Sequence, residues 1–327
     1  GIDAKCKRFL EYSSVEEAQQ IVAGLTAADQ PLLILGGGSN LLLTGDYEGT
    51  VIHSAIKGIK VLDNEKLHSS DSVFLSCGSG EVFDDVVAYA VEHGYHGAEN
   101  LSIIPGEVGA SAVQNIGAYG VEAKDIIYKV EAVEIATGKV VVFDNQDCQY
   151  SYRQSRFKHE WKDKYLVTHV IYRLSKHFVP DLDYGNIRTS LAAKKIGNPT
   201  AQQLRDVIIE IRNAKLPDPK VQGNAGSFFM NPIVQKAKYE ELAALYPGMP
   251  HYTIDAEHEK IPAGWMIDQC GWKGQSLGRA GVHDKQALVL VNRGGATGEE
   301  IVNLCETIRK DVKQKFDIDI HPEVNVK

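Results

Sequence analysis

Two glycine-rich segments in the first 120 residues constrain the fold of this chain most strongly. The first, residues 36–40, directly follows Leu32–Leu35, an apolar run with the length of a buried strand. The second, residues 104–120, is the densest loop sequence of the chain and contains four glycines. Because glycine has no side chain, such loops turn sharply and let backbone N–H groups point at an anion. The pair therefore predicts two backbone loops that clasp a diphosphate between them.

Either loop taken alone is more simply interpreted as a tight turn. The two together favour a binding function, because hydrogen-bonding residues are interleaved with the glycines. These residues are Ser39, Asn40, Ser111, Gln114 and Asn115. Glu107 fits poorly, since a carboxylate repels a phosphate unless it points away.

The standard phosphate fingerprints are absent from the sequence. Leu41 stands where G-x-G-x-x-G requires its third glycine, and no G-x-x-x-x-G-K-[ST] run occurs. A nicotinamide-binding Rossmann domain and a P-loop ATPase are therefore disfavoured.

Composition restricts the class of protein. Hydrophobic residues make up 43% and charged residues 24% of the 327 residues, which excludes disorder, collagen-like repeats and coiled coil. The formal net charge of −8 argues against a nucleic-acid partner, which usually needs a basic face. The five cysteines are scattered without a C-x-x-C pair, so we expect no metal site and a reducing compartment. Neither a membrane-length apolar run nor a secretory pattern is present, so no membrane association is expected.

Capping and periodicity predict an alternation of helices and strands. Capping boxes at 14–17, 200–203 and 297–300 predict three helix starts, and apolar spacing predicts helices that include residues 82–91, lie near 239–245 and cover 263–270. Thr137-Gly138 predicts a hairpin between 130–135 and 140–143. Apolar runs predict strands at 32–35, 41–43, 73–76, 166–174 and 287–291, and the tail 318–326 is predicted as a strand interrupted by Pro322. Residues from 215 onward are typical of a separate α+β unit.

Polar residues concentrate in four further places. Arg153 lies in the loop 151–156, Tyr184 in a turn, Ser227 in a Gly/Asn-rich loop and Glu323 in the tail. Taken singly, Arg153 is interpreted as a surface salt-bridge partner and Glu323 as a solvated residue. Ser227 alone is interpreted as a turn or cap residue, and Tyr184 as partial core.

One catalytic motif also matches. Residues 274–278 fit G-x-S-x-G, the nucleophile elbow of α/β-hydrolases, which needs a strand before it and a helix after it. Here a helical pattern precedes the match and a glycine–histidine loop follows it. We therefore interpret it as a chance match.

These residues together resemble the UDP-N-acetylenolpyruvoylglucosamine reductase family. The resemblance rests on residues 33–40, 104–120, 152–153, 223–232, 263–270 and 322–324, and covers nearly the whole chain. The turn 183–185 is similar to the tyrosine loop of one subclass. The resemblance implies an α+β protein of three domains, with a two-domain FAD-binding module of the vanillyl-alcohol-oxidase type before an α+β substrate domain. We expect FAD-binding subdomains at 1–60 (joined by the tail at about 318–327) and 61–213, and the UDP-sugar domain at 214–317.

The resemblance also implies a reaction. The family reduces UDP-N-acetylglucosamine enolpyruvate to UDP-N-acetylmuramate for bacterial peptidoglycan, using NADPH and FAD, with hydride passing from flavin N5 to the enol ether. It assigns protonation to Ser227, and stabilisation of the carboxylate and its enolate-like charge to Arg153 and Glu323. The cofactor-binding residues it implies are Leu35, Gly36, Gly37, Gly38, Ser39, Asn40, Ile104, Pro105, Gly106, Gly109, Ser111, Asn115 and Gly117. The substrate-binding residues it implies are Tyr184, Lys215, Asn231, Tyr252 and Gln286.

Further expectations follow from the resemblance. FAD is expected to be non-covalent, because no His lies where oxidase relatives attach flavin. NADPH and the sugar nucleotide are expected to share one pocket in turn, which predicts ping-pong kinetics. We expect a monomer in the bacterial cytoplasm.

Other functional classes stay open at this point. One is a different FAD-dependent oxidoreductase of the same fold, which would not require the enolpyruvyl sugar to consume NADPH. The others are a nucleotide-binding protein without turnover and a serine hydrolase using Ser276. A yellow preparation with flavin absorbance would exclude both of these.

Overall fold

The computed structural model of the chain describes residues 1–62 and 69–327. These residues form two units. The larger unit contains Cys6–Gly38 and Glu48–Ala214, and the smaller unit contains Gly1–Lys5, Ser39–Tyr47 and Lys215–Lys327. Both units mix helices with strands, as an α+β fold requires. The division into three domains, with limits near 60, 213 and 317, stays a prediction.

The α-helices of the described residues differ widely in length. Within residues 1–62 and 69–327, none is long and apolar enough to cross a membrane. In chain order they are α1 Val15–Gly24, α2 Phe83–Glu92, α3 Val108–Gln114, α4 Ile187–Ala193, α5 Ala201–Lys215, α6 Lys236–Leu245, α7 Ala263–Gln269 and α8 Gly298–Phe316.

Most of the strands are short. In chain order they are β1 Cys6–Tyr12, β2 Leu32–Leu35, β3 Leu41–Leu42, β4 Tyr47–Ser54, β5 Ile59–Val61, β6 Ser72–Gly78, β7 Gly117–Ala118, β8 Val121–Glu122, β9 Ile127–Glu134, β10 Val140–Asp144, β11 Tyr165–Ser175, β12 Asn224–Ser227, β13 Ile233–Gln235, β14 Tyr252–Thr253, β15 His258–Lys260, β16 Ser276–Leu277, β17 Ala280–Val282, β18 Val289–Asn292 and β19 Asn325–Val326.

The larger unit is built on an antiparallel sheet of five strands in the order β10-β9-β11-β6-β5. The buried residues of α2 and α3, such as Phe83 and Val108, belong to the same hydrophobic core as those of β6, β9 and β11. A second sheet has the order β1-β4-β2, with β2 parallel to β4. Its register places Leu35, the last residue of β2, opposite His53 of β4. The first glycine loop therefore begins beside β4.

The smaller unit has an antiparallel sheet in the order β12-β18-β17-β16 and a three-stranded sheet in the order β13-β15-β14. The buried face of α8 shares its core with Phe228 and Phe229, which follow β12. The tail strand β19 pairs in parallel with β3, Asn325 opposite Leu41. The C-terminal tail thus lies beside the strand that follows the first glycine loop.

The three predicted capping boxes start helices, and two are complete. At α8, the Thr297 hydroxyl accepts from the Glu300 N–H (3.2 Å) and the Glu300 carboxylate accepts from the Thr297 N–H (2.8 Å). Thr200 and Gln203 form the same reciprocal pair at α5. At α1, Ser14 caps the helix, but the Glu17 carboxylate accepts from Ser13 instead.

The structure corrects two element predictions. Residues 108–114, predicted as loop, form α3, because Val108 and Ala112 enter the core one helical turn apart. The tail prediction was wrong over most of its length, since only Asn325–Val326 is a strand. The earlier tail residues Ile318 and Ile320 are buried in the core without forming one. Helix α4 was not predicted.

Candidate functional site

The first glycine loop leaves β2 at Leu35 and runs against the chain at the start of α3. A Cβ atom added at Gly36 would lie 2.9 Å from the Cβ of Ala110, which is closer than real Cβ atoms approach. One added at Gly37 would lie 3.5 Å from the Cγ of Glu107. A side chain at position 36 would therefore push the two segments apart. The structure brings the two predicted loops together within the larger unit.

Backbone hydrogen bonds fix the second loop to the segment before α2. The Phe83 N–H donates to the carbonyl oxygen of Gly106 (3.0 Å), and the Gly109 N–H donates to that of Ser79 (2.8 Å). Ile104, which precedes Pro105, is 9% exposed. The shape of residues 104–109 is therefore set by contacts within the protein.

Two side chains predicted to bind the cofactor are engaged by the protein itself. The Ser111 hydroxyl lies 2.6 Å from the Val108 carbonyl oxygen and 2.8 Å from the Tyr172 hydroxyl, whose pKa is raised by burial. Asn115 ends α3 with a φ of +48° and donates to the carbonyl oxygen of Ser151 (2.8 Å). These side chains shape α3 and its end, and their assignment as cofactor ligands stays a prediction.

Arg153 is positioned by the chain that follows α3. Its Nη2 donates to the carbonyl oxygen of Gly117 (2.6 Å) and its Nη1 to that of Asn115 (3.2 Å), with the Glu122 carboxylate 3.5 Å away. The side chain is 15% exposed. A Cβ atom at Gly117 would lie 2.9 Å from Nη1 and 2.7 Å from the carbonyl oxygen of Val121. Only glycine at position 117 therefore leaves room for the guanidinium.

Asp84, Arg205 and Arg212 form a cluster that holds the backbone of Ile103, just before the second loop. Asp84 accepts two hydrogen bonds from Arg205 (2.7 and 2.9 Å) and one from the N–H of Ile103 (2.6 Å), whose φ is +50°. Arg212 reaches the Ile103 carbonyl oxygen at 3.5 Å, and burial lowers its pKa. Sequence reasoning missed this cluster. The signal was two arginines seven residues apart, on the face of α5 that carries its buried apolar residues.

Tyr184 lies edge-on to Tyr119, with the ring centroids 6.2 Å apart at 88°. The side chain of Asn100 donates to the carbonyl oxygens of Tyr119 (2.9 Å) and Asp181 (3.1 Å). Tyr119 also packs against the core formed by α4 and α5. The tyrosine loop is therefore held to the segment that follows α3.

In the smaller unit, backbone pairing connects Ser227 with the C-terminal tail. Ser227 is exposed at the end of β12, opposite Val289 of β18. The next residue, Phe228, is buried, and its carbonyl oxygen accepts from the Glu323 N–H (2.8 Å). Ser227 and Glu323 are thereby brought together, whereas Arg153 belongs to the larger unit.

The division into units falls within the first glycine loop: Gly38, whose φ is +69°, is the last residue of its segment in the larger unit. Ser39 and Asn40 are half-buried residues of the smaller unit. The Asn40 side chain donates to the carbonyl oxygen of Glu323 (3.3 Å), and its own carbonyl accepts from the Asn325 N–H (3.1 Å). Asn40 thus fastens the tail that carries Glu323.

Two predicted substrate residues of the smaller unit accept hydrogen bonds from backbone N–H groups. The Asn231 Oδ1 accepts from the N–H of Ala263 (2.9 Å), the first residue of α7. The Gln286 Oε1 accepts from the N–H of Leu288 (3.3 Å). Their assignment as substrate ligands stays a prediction.

The other two predicted substrate residues differ in their surroundings. Tyr252 pairs with Lys260 across β14 and β15, and the Lys260 Nζ lies 5.6 Å from the Tyr252 ring centroid. Lys215 is the exposed last residue of α5. Their assignment to the substrate site stays a prediction.

Sequence reasoning also missed His53. Its Nε2 lies 3.1 and 3.2 Å from the two carboxylate oxygens of Glu107, and its Nδ1 lies 2.8 Å from the Glu11 carboxylate. These partners are 54 and 42 residues away in sequence. The available signal was a histidine with Val51-Ile52 before it and Ala55-Ile56 shortly after it.

The G-x-S-x-G match does not form a nucleophile elbow. Ser276 lies in β16, which forms a hairpin with β17 through the pairs Ser276–Gly281 and Leu277–Ala280. The elbow requires a strand that leads directly into a helix. This confirms that the match is a chance one.

Comparison with known proteins gives two family models that match the chain. An FAD-binding domain matches residues 7–144, and the C-terminal domain of UDP-N-acetylenolpyruvoylglucosamine reductase matches residues 218–327. The expected α+β fold, with an FAD-binding module followed by a C-terminal domain, is confirmed.

Relatives of known name match over nearly the whole chain. The UDP-N-acetylenolpyruvoylglucosamine reductase of Bacteroides fragilis is 55% identical over 325 residues, which cover 99% of this chain and 96% of the relative. That of Porphyromonas gingivalis is 46% identical over 324 residues, covering 99% and 94%. The crystal structure of the Thermus caldophilus reductase matches with a TM-score of 0.64 at 21% identity, covering 97% of this chain and 91% of that one. The last match extends the similarity of fold to nearly the full length.

Proposed function

Because this chain belongs to the UDP-N-acetylenolpyruvoylglucosamine reductase family, we propose that it reduces UDP-N-acetylglucosamine enolpyruvate to UDP-N-acetylmuramate in peptidoglycan synthesis, with NADPH as the reductant. The family and the FAD-binding domain make it an FAD-dependent oxidoreductase. The observation that carries the proposal is the 55% identity that extends over 99% of the chain.

The glycine loops of the larger unit fit FAD. Gly36 and Gly37 let the first loop pack closely on Ala110 and Glu107, and backbone hydrogen bonds to Ser79 and Phe83 fix the second loop. Residues 36–38 and 104–106 would hold the dinucleotide through backbone groups, in the way that glycine loops hold phosphates. When bound, FAD supplies hydride chemistry between the nicotinamide and the enol ether. FAD is held without a covalent bond in this proposal.

Arg153 and Glu323 are assigned to the carboxylate of the enolpyruvyl group. Adding a hydride to the terminal methylene carbon breaks the carbon–carbon π bond and moves its electron pair to the adjacent carbon and the carboxylate. Catalysis therefore needs a cation where this charge develops. The planar guanidinium of Arg153, held by two carbonyl oxygens, is suited to a carboxylate.

Ser227 is assigned as the proton donor. The reduction is completed when a proton is transferred to the carbon that received the electron pair. The exposed hydroxyl of Ser227 leaves it accessible to a substrate, and the backbone pairing of Phe228 with Glu323 keeps both residues in place.

Tyr184, Lys215, Asn231, Tyr252 and Gln286 are assigned to the UDP-sugar. Lys215 supplies a point charge for the diphosphate, and Asn231 supplies an amide donor. NADPH and the sugar nucleotide would occupy one pocket in turn, so ping-pong kinetics are part of the proposal. We also propose that the protein has three domains, is a monomer and is located in the cytoplasm.

The test is a coupled measurement on the purified protein. We expect flavin absorbance in the preparation, and steady NADPH consumption only when the enolpyruvyl sugar nucleotide is added. Steady NADPH consumption that proceeds equally without this sugar would instead support another oxidoreductase of the same fold. A protein without flavin would overturn the proposal.

A further inference from the structure

The Glu107 carboxylate lies against the first glycine loop. Its Oε2 is 3.6 Å from the Cβ position of Gly36, and its Cδ is 3.6 Å from that of Gly37. A negative charge at this place opposes the diphosphate that the loop is proposed to hold. The structure must therefore contain a group that offsets this charge if the proposed cofactor site is correct.

His53 lies where it can offset the negative charge of Glu107. Its Nε2 faces both oxygens of Glu107 at 3.1 and 3.2 Å, while its Nδ1 faces the Glu11 carboxylate at 2.8 Å. A neutral imidazole can donate from only one nitrogen, whereas the imidazolium donates from both. The geometry is that of a protonated histidine between two carboxylates.

The imidazole of His53 is mostly buried. Its side chain is 19% exposed, and that of Glu107 is 15% exposed. Strand β1 contributes Glu11 and the ring of Phe9, whose centroid is 6.3 Å from that of the imidazole. Strand β2 contributes the apolar Leu35 opposite His53. Among residues 1–62 and 69–327, the charged groups hydrogen-bonded to the imidazole are the carboxylates of Glu11 and Glu107.

We propose that His53 is a positioning residue of the FAD site, whose imidazolium holds and neutralises Glu107 so that the cofactor diphosphate can lie beside Gly36 and Gly37. The inference rests on the proposed function, because it takes the glycine loops as the diphosphate site. The imidazolium balances one of the two carboxylate charges, so the cluster of Glu11, His53 and Glu107 carries a net charge of −1 rather than −2. Removal of the imidazole is therefore expected to weaken FAD binding.

The FAD dissociation constant tests this proposal. Holoenzyme is diluted serially, and released flavin is measured by its fluorescence. The His53→Gln variant is expected to bind FAD about tenfold more weakly than wild type, because Glu107 then lacks its charge partner. The Glu107→Gln variant is expected to bind at least as tightly as wild type.

The double variant distinguishes an effect of the Glu107 charge from a structural effect of losing His53. If His53 acts by neutralising Glu107, His53→Gln with Glu107→Gln regains the affinity of Glu107→Gln alone. A double variant as weak as His53→Gln would overturn the proposal, and so would weaker binding by Glu107→Gln alone. His93→Gln, at an exposed histidine of the larger unit, is the matched control and is expected to behave as wild type.

A glycine variant separates this inference from the proposed function. Gly36→Ala places a Cβ atom against Ala110 and is expected to abolish FAD binding if the loops hold the cofactor. Retention of FAD by Gly36→Ala would overturn the loop assignment and the inference with it. Loss of FAD by Gly36→Ala, together with wild-type FAD binding by His53→Gln, would overturn the inference alone.

Discussion

The Nη2 of Arg153 donates a 2.6 Å hydrogen bond to the carbonyl oxygen of Gly117, 36 residues earlier in the chain. The glycine both receives the guanidinium and leaves room for it, because its missing Cβ would lie 2.9 Å from Nη1. Arg153 also has a φ of +57°, which non-glycine residues seldom adopt. The position of the Arg153 guanidinium therefore depends on the backbone of Gly117, a residue without a side chain.

Gly117→Ala is expected to lower kcat by about 10- to 100-fold, because a shift of about 1 Å in a catalytic group has effects of this size. The flavin content should stay at the wild-type level. Both are measured on the purified variant, by steady-state kinetics and by absorbance. Gly24→Ala in α1, where an added Cβ meets nothing within 4 Å, is the matched control. Equal kcat values for all three proteins would contradict the role given to Gly117.

Ser227→Ala is expected to separate the two half-reactions. Reduction of the flavin by NADPH should proceed at the wild-type rate, while reoxidation by the enolpyruvyl sugar should fall by at least about 100-fold. Stopped-flow absorbance of the flavin measures both rates. An equal loss in the two half-reactions would show that Ser227 is not the proton donor.

Asp84→Asn is expected to destabilise the larger unit by about 3 kcal/mol, since it leaves Arg205, which is 8% exposed, without its charge partner. It also weakens the acceptor of the Ile103 N–H, so flavin retention should fall. Urea unfolding and flavin absorbance measure the two effects. Asp85→Asn, at the exposed neighbouring position, provides the control. The prediction fails if both variants unfold at the same urea concentration.

Stability is expected to fall in acid partly through Glu300. Hydrogen bonds from the Arg279 guanidinium and the Thr297 N–H lower the pKa of this carboxyl to about 2. Because the folded pKa lies below that of the unfolded chain, this stabilisation is present above about pH 4.5 and is lost as the pH falls towards about 2. Urea midpoints between about pH 5 and about pH 2 should therefore fall more steeply for wild type than for Glu300→Gln. Glu299→Gln should keep the wild-type slope, and a common slope for all three would refute the prediction.

Local signals predicted much of the secondary structure. The capping boxes before α5 and α8 and the hairpin at Thr137-Gly138 depend on residues at most five positions apart, so they are visible in the sequence. Helix α3 was predicted as loop because its glycine and short polar residues favour turns. Its formation depends on core contacts of Val108 and Ala112, which no local pattern encodes.

In the candidate site, too, the parts that depend on local sequence were predicted and the parts that depend on distant residues were not. The glycine loops were predicted because a backbone that approaches a ligand closely requires glycine locally. The supporting residues were not predicted, because Asp84 and Arg205 are 121 positions apart and His53 and Glu107 are 54 apart. Glu107 appeared misplaced in the sequence for the same reason, since its partner is identified only by the fold.

Strand β3 pairs with β19, and the Asn40 carbonyl receives a side chain 285 positions later in the chain. A gene fragment that begins at residue 215 would therefore encode a polypeptide that lacks one strand of its own sheet. Cutting the gene before residue 215 leaves the larger unit whole and the smaller unit incomplete, although this position looks like a domain boundary. The smaller unit would be complete only if residues 1–5 and 39–47 were supplied as well.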